Sequence, residues 1–453
     1  MSVPTARNQG DLLPDHAYPL GPPEAFASFN ALFDHRVQHY PDDPFLSDLT
    51  RHLNYSQADK CINTLAKLHG ERIVPRRKGE PGKAVGMLWR AGMDYVLHDI
   101  ALQRLCAGVR HECKMALIVI RRGHIPVAIS PSLPPSAIIS ILRSTEAVAL
   151  IHGPDQLKSA QAAITDLPGV TLIQVDTHDV PPSDNTTWRT ELSPEEESQE
   201  VNSIIHTSGS TGDPKIIPMR NRPWLANCCS YPGGPGACLV VTPLSHAYAR
   251  LALIGTVAYA GRFIVYPPTM PITAPNLMKA IRESKPEMIW VVPTLVKMIA
   301  EEPGGIDLLT GLGIVGSAGG PVPTELGDSL VANGVHLVVT LGASEAGNVF
   351  SSSRDYDTDR HWEYMRPPTF AIKYMHFESV EDGLAELVVD SKYPSLQMCN
   401  RPDGSWASGD LYELHETMKN AWRYFGRRDD LIVHSTGHKT NPIPSRLSPH
   451  TPN

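Results

Sequence analysis

The sequence predicts an α/β fold with two parallel-rich sheets flanked by helices, followed by a small β-rich unit. Three observations predict it. Short β-branched runs alternate with helix-sized segments along most of the chain, the pattern of βαβ units. The alternation falls into two blocks, roughly 83–180 and 201–340. Beyond Arg360 it gives way to shorter runs (ELVVD, LYEL, WRYFG) that suit a mixed or antiparallel unit.

Residues 1–24 are polar and Pro-rich and read as a surface segment; their start has no apolar core and does not read as a signal peptide. Phe26 to Leu46 reads as an amphipathic helix closed by Pro-Asp-Asp-Pro. The first block then supplies the strand runs AVGMLW, VAIS, AVALIH and VTLIQV. Within it, MDYVLHDIALQRL reads as a helix and GHIPVAIS as a Gly stop and a strand. Between these lies Cys106 to Arg122, CAGVRHECKMALIVIRR, which breaks the rhythm. Joining Leu105 directly to Gly123 restores an ordinary helix–Gly–strand connection. Residues 106–122 therefore read either as a surface insertion or as translated non-coding sequence. If its apolar MALIVI run lacks a partner, deletion is expected to raise soluble yield and melting temperature. SPEEESQE, between the blocks, reads as a solvated linker face. The second block supplies CLVVT, FIVYP, MIWVV, GIVGS and HLVVT.

Composition narrows the function. The chain has 453 residues, is 42% hydrophobic, and is long enough for a large core. A net charge of -8 with 19% charged residues leaves no footprint for nucleic acid and no polybasic stretch for a membrane surface. No apolar run approaches the ~20 residues that span a bilayer. The seven cysteines include no C-x-x-C pair, and Cys228 and Cys229 are adjacent, which suggests reduced thiols in the cytoplasm.

The chemistry concentrates in Ile204-Ile205-His206-Thr207-Ser208-Gly209-Ser210-Thr211-Gly212-Asp213-Pro214-Lys215. A β-run enters a loop of small hydroxyl residues and glycines that ends in lysine. Glycines let backbone approach a polyphosphate, hydroxyls and N–H groups donate to its oxygens, and lysine adds a positive charge on a flexible stem. By composition alone such a loop either binds phosphate or simply turns the chain. Its spacing is not that of a P-loop, which disfavours a P-loop ATPase.

The order of T-S-G-S-T-G-x-P-K resembles the phosphate loop of the adenylate-forming superfamily, which includes acyl-CoA synthetases, nonribosomal peptide synthetase adenylation domains and luciferases. Further resemblances follow in that family's order. They are Thr242-Pro243-Leu244-Ser245-His246 to P-L-x-H, Gly319-Gly320-Pro321 to the G-G-x-P nucleotide loop, and Leu341-Gly342-Ala343-Ser344-Glu345 to Y-G-x-T-E. Ala407-Ser408-Gly409-Asp410 resembles R-T-G-D, and Gly426-Arg427-Arg428-Asp429 resembles G-R-x-D. The ends of the chain resemble fungal nonribosomal peptide synthetase-like enzymes of the adenylate-forming reductase type.

The resemblance implies ATP-dependent activation of a small carboxylic acid as acyl-AMP, with pyrophosphate released. It implies that Thr207, Ser208, Gly209, Ser210, Thr211, Gly212 and Lys215 grip the β- and γ-phosphates. Glu345 would take Mg²⁺, Ser344 the α-phosphate, Gly319 and Gly320 the adenine, and Asp410 the ribose hydroxyls. Arg427 would donate to ribose or phosphate, His246 would line the acyl pocket, and Asp429 would be the hinge of a small lid. A large adenylation domain over residues 25–418 and the beginning of a C-terminal lid over 419–453 are implied. The acceptor of the acyl group would be CoA or phosphopantetheine on a separate carrier protein.

The sequence also departs from the family. Leu341 stands where an aromatic usually stacks on adenine. No carboxylate follows His246, so a substrate ammonium would lack a partner, which disfavours an α-amino acid against an aryl, keto or fatty acid. Relatives continue well past the hinge to a lysine that contacts the reacting groups. Its lack implies a C-terminally truncated lid and impaired adenylation. Two functions therefore remain: an AMP-forming carboxylate ligase, or a non-catalytic nucleotide-binding remnant of one.

Overall fold

Each strand run read from the two blocks takes up a strand, and the strands assemble into two large sheets. The computed structural model describes residues 26–74, 76, 80–104, 111–113, 116–121, 123–175, 187–190, 192–208, 213–230, 233–234, 236–381, 383–430, 432–433 and 439–440. The first sheet runs, in spatial order, Pro214–Arg220, Val201–Ser208, Ile125–Ile129, Ala84–Leu88, Ala149–His152 and Thr171–Gln174. All its neighbours are parallel except the first two, which are antiparallel. Its central strand Ala84–Leu88 is buried at every position, as a strand covered on both faces must be.

The second sheet runs Gly347–Ser351, Leu337–Ala343, Ile314–Ser317, Met288–Val291, Ala237–Val240, Arg262–Val265, Pro44–Ser47 and His52–Asn54. It is parallel inside and antiparallel at both edges. Five layers result. Helices Phe29–His39, Tyr55–Arg72, Met93–Arg104 and Ala247–Ala258 lie between the sheets and share one hydrophobic core with both. Helices Pro135–Ser144 and Leu157–Ile164 cover the far face of the first sheet. Ala274–Ser284, Pro293–Ala300 and Thr324–Ala332 cover the far face of the second. Alternation across the pleat sends Val85 and Met87 to the shared core and Ala84 and Leu88 to the outer one. A third, antiparallel sheet follows: Tyr364–Met365, Trp422–Arg427, Trp406–Leu414, Leu384–Val389 and Met375–Glu381.

A buried ion pair crosses the middle layer. Arg250 Nη2 donates to both carboxylate oxygens of Asp99, at 2.9 and 2.8 Å, and Nη1 reaches the Leu244 carbonyl at 3.5 Å. The side chains are 5% and 7% exposed, so the pair fixes position more than it adds net stability. It ties helix Met93–Arg104 to helix Ala247–Ala258 and to the loop before it. Among the described residues, no helix is long and apolar enough to cross a membrane.

Several local expectations are revised. The helix expected over Phe26–Leu46 covers Phe29–His39, capped by Ser28 Oγ accepting from the Ala31 N–H, and Pro44–Ser47 is a strand. The two sequence blocks also do not map one to one onto the sheets. Val201–Ser208 joins the first sheet, Ile204 opposite Val127, and Pro44–Ser47 joins the second, Leu46 opposite Phe263. Linear order does not show which sheet a strand's buried faces complete. SPEEESQE contains a short helix, Pro194–Gln199, closed by a Ser193/Glu196 capping box. Its Glu197 accepts from Ser28 Oγ at 2.7 Å.

Part of Cys106–Arg122 lies outside the described residues. Within it, His111–Cys113 and Ala116–Arg121 are strands, and the latter pairs in parallel with Thr187–Thr190. The apolar run thus has a backbone partner, which removes the main ground for expecting aggregation. The flanks nonetheless meet as if directly joined. The His124 N–H donates to Leu102 O at 2.9 Å, and a Cβ on Gly123 would lie 1.8 Å from Gln103 O. That hydrogen bond ties the helix end directly to the start of the next strand. A chain in which Leu105 is joined to Gly123 is therefore expected to fold with little change in melting temperature. Loss of cooperative melting would mean that the segment is integral to the fold.

Candidate active site

The motif residues lie at the carboxyl ends of strands in the second sheet, at the hairpin that edges the first, and, for Asp410, Arg427 and Asp429, in and just after the third. Open α/β sheets place ligand sites at such ends. Thr207 and Lys215 are cross-strand partners in the hairpin Val201–Ser208/Pro214–Arg220. Gly209, Ser210, Thr211 and Gly212 lie outside the described residues, as does the side chain of Ser208.

Lys215 Nζ donates to Glu345 Oε1 at 2.6 Å, closing 130 residues of chain into one contact. The lysine is 43% exposed and the carboxylate 16%, so water screens the pair and its contribution to stability is small. Glu345 sits in the turn between Leu337–Ala343 and Gly347–Ser351. Gln397 fixes this turn. Its N–H donates to Glu345 O at 2.7 Å, and its Oε1 accepts from the Arg220 N–H at 2.9 Å. One buried glutamine, through its backbone N–H and its side-chain amide, thus ties the strand of Lys215 to the turn of Glu345. Ser344 is half-buried in the same turn. Leu341 is half-buried opposite Phe350.

Gly319 and Gly320 follow strand Ile314–Ser317 and are exposed. Gly319 has φ +84, a left-handed backbone that favours glycine. A Cβ on Gly320 would meet nothing within 4 Å, so this backbone faces open space.

His246 is the N-cap residue of helix Ala247–Ala258, without a side-chain cap bond. Its ring is exposed by surface area, yet desolvation lowers its pKa. Its neighbour His206, at the strand position just before Thr207, accepts the Ser130 N–H at Nε2, 3.1 Å away. That bond fixes a neutral ring. Burial and then His246 push its pKa down to about 4.

Asp410 and Arg427 face each other across strands Trp406–Leu414 and Trp422–Arg427, with Oδ1 and Nη1 3.4 Å apart. Asp410 is 15% exposed. Burial pushes its carboxyl up to about 6, against the pull of Arg427 and with help from Glu386. Asp429 is exposed in the short turn after Arg427. The structure therefore brings together Thr207 with Lys215, Lys215 with Glu345, and Asp410 with Arg427. It sets His246 beside His206. Sequence reasoning did not single out Gln397 or Glu386, which carry no motif signal, and gave His206 no role of its own.

A family model described as AMP-binding enzyme matches residues 113–373, more than half of the chain. Among curated relatives, the adenylate-forming reductase Nps10 of Heterobasidion annosum is 27% identical over 93% of this chain; the chain spans 40% of that protein's length. The anthranilate–CoA ligase of Pseudomonas aeruginosa is 24% identical over 51% of this chain and 47% of its own. Among solved structures, the anthranilate CoA ligase AuaEII in complex with anthranoyl-AMP superposes with a TM-score of 0.74 at 17% identity, covering 92% of this chain and 80% of that one. The o-succinylbenzoate CoA synthetase of Bacillus subtilis gives 0.69 at 16% identity, over 91% and 81%. At such identities these structures establish the fold alone.

Proposed function

The chain belongs to the AMP-binding enzyme family, and from that premise we propose that it joins a small carboxylic acid to the AMP moiety of ATP and releases pyrophosphate. The observation that carries this reading is the contact between Lys215 and Glu345, a cation and a carboxylate of the kinds that would hold phosphate and its metal ion. A substrate carboxylate oxygen attacks the α-phosphorus, and the bond to the pyrophosphate oxygen breaks. Such chemistry is mostly positioning and charge stabilisation. Lys215 and the Thr207 hydroxyl hold the outer phosphates, and Ser344 donates to the α-phosphate. Burial raises the pKa of Asp410 to about 6, so at neutral pH it is a carboxylate, ready to accept the ribose hydroxyls.

Magnesium would arrive with ATP and help neutralise the phosphate charge. The residues fit that role. Glu345 offers one hard carboxylate, and no cluster of three ligating side chains occurs among the described residues. Such a set suits an ion held mainly by phosphate oxygens and water.

The first turn of helix Ala247–Ala258 carries no acidic residue to pair a substrate ammonium. This favours an aryl, keto or fatty acid over an α-amino acid. Relatives named for anthranilate make an aromatic acid the first to try. We further propose that the acyl group passes to CoA or to a carrier's phosphopantetheine thiol, and that the reaction belongs to secondary metabolism.

The test is ATP–pyrophosphate exchange with a panel of carboxylic acids; the absence of any acid-dependent exchange would leave only nucleotide binding. In the same assay system, Lys215→Ala is expected to weaken ATP binding about tenfold or more. It removes a charge-assisted hydrogen bond of roughly 1.5–3 kcal/mol. Unchanged affinity would remove Lys215 from the site.

A further inference from the structure

The turn that carries Asp410 is a bulge. Glu386 lies opposite Leu411 and Val388 opposite Ala407, so Ser408, Gly409 and Asp410 together face the single residue Leu387. Gly409 takes φ +70 to make this fit. The Ser408 hydroxyl accepts the Asp410 N–H at 3.1 Å and closes the bulge locally.

What holds the bulge against the sheet is a carboxylate from the neighbouring strand. Glu386 is buried, with its side chain 5% exposed. Its Oε1 accepts the Gly409 N–H at 3.1 Å, and its Oε2 accepts from Arg428 Nη1 at 2.7 Å. A buried carboxylate costs free energy unless both oxygens are satisfied, and here each has a donor. The two donors belong to different parts of the site. Gly409 precedes Asp410, and Arg428 precedes Asp429.

We propose that Glu386 is a positioning residue, which through one buried carboxylate sets the backbone that aims Asp410 and anchors the guanidinium next to Asp429. The inference rests on the reading of Asp410 as the ribose acceptor. It gives the nucleotide site and the segment beyond Arg427 a common fixed point. Asp410 is faced by Arg427 across the strands, by Tyr412 on its own strand with Tyr424 beside it, and by Glu386 from the next strand. Glu386 is in turn faced by Arg428, with Arg401 near enough to feel its charge. Removing the Glu386 charge while keeping its shape therefore alters how readily Asp410 takes a proton.

The experiment measures adenosine affinity of the full chain from pH 5 to 8. Adenosine carries the ribose but no phosphate, which would itself titrate near pH 6. Wild-type affinity is expected to fall as the pH drops through about 6, where Asp410 protonates and can no longer accept both hydroxyls. Glu386→Gln is expected to move that midpoint down by about half a unit or more, because a like charge is gone. Arg428→Met is expected to move it up, because the Glu386 charge is then less neutralised. A purely structural role predicts weaker binding at every pH with an unmoved midpoint, and that outcome overturns the proposal. If Glu386→Gln fails to fold, the half-exposed Arg428 provides the test, and an unmoved midpoint in Arg428→Met overturns it equally. Asp410→Asn separates the two layers of the argument. If it binds adenosine like wild type, the ribose reading fails. If it abolishes the pH dependence while both other variants leave the midpoint unmoved, the role of Glu386 alone fails.

Discussion

Glu345→Gln is expected to lower the acid-dependent pyrophosphate exchange rate about 10²–10³-fold, the usual cost of losing one charge-stabilising group from a reacting centre. Melting temperature is expected to stay within about 1–2 °C, since the Lys215–Glu345 pair is too screened to matter for folding. Glutamine keeps the size and one acceptor oxygen but not the charge. The loss should therefore appear in the rate and in the magnesium requirement more than in affinity for nucleotide alone. The double variant with Lys215→Ala is expected to lose far less than the product of the single losses, because groups that act as a unit are not additive. Wild-type exchange in Glu345→Gln would remove that carboxylate from the chemistry.

The second large effect concerns acid. His69, His124 and His206 are buried, and burial is the first cause that pushes each from 6.5 down to about 4. Their rings are fixed as neutral acceptors or donors. His69 Nε2 and His98 Nδ1 share one hydrogen bond of 2.8 Å, and His124 accepts the Lys83 N–H at Nδ1 while Nε2 meets Val74 O. Histidines of the unfolded chain titrate near 6.5, so between 6.5 and about 4 the unfolded state binds more protons. Stability is fully present above this window and falls as the pH drops through it. At pH 5 each site loses about 2 kcal/mol, and three together approach the whole stability of a typical domain, ~5–15 kcal/mol. Asp410 and Asp99, whose carboxyls are raised by burial, act in the opposite sense and offset part of the loss. Thermal melting from pH 7.5 to 5 should show a steep fall in melting temperature. A flat profile would mean that these rings protonate without unfolding the chain.

Much of the frame was legible because parallel strands buried on both faces must be continuous apolar runs, and helices must separate them. AVGMLW and MIWVV could be little else. Lys215 and Asp410 could be singled out because their motifs are local in sequence, and the structure pairs them with Glu345 and Arg427. Gln397 was not, since its role depends on touching Arg220 and Glu345 at once, and nothing in its neighbours announces that. Glu386 was hidden inside ELVVD, where a charge between apolar neighbours reads as the solvent face of a strand. It is instead the buried partner of a bulge that only the cross-strand register reveals. The strand Pro44–Ser47 was missed for a related reason. Its four residues continue a helical pattern, and only the free edge of a sheet assembled from residues 237–351 makes a strand of them.

The Asp99–Arg250 pair has a mechanical consequence. To slide or part the two helices that it joins, the chain would have to strand two opposite charges in apolar surroundings, at a cost of several kcal/mol. The middle layer is thereby pinned from within, between the two large sheets that pack on it. Shear between these helices is resisted inside the core that both large sheets share, whereas the antiparallel sheet packs around a separate core.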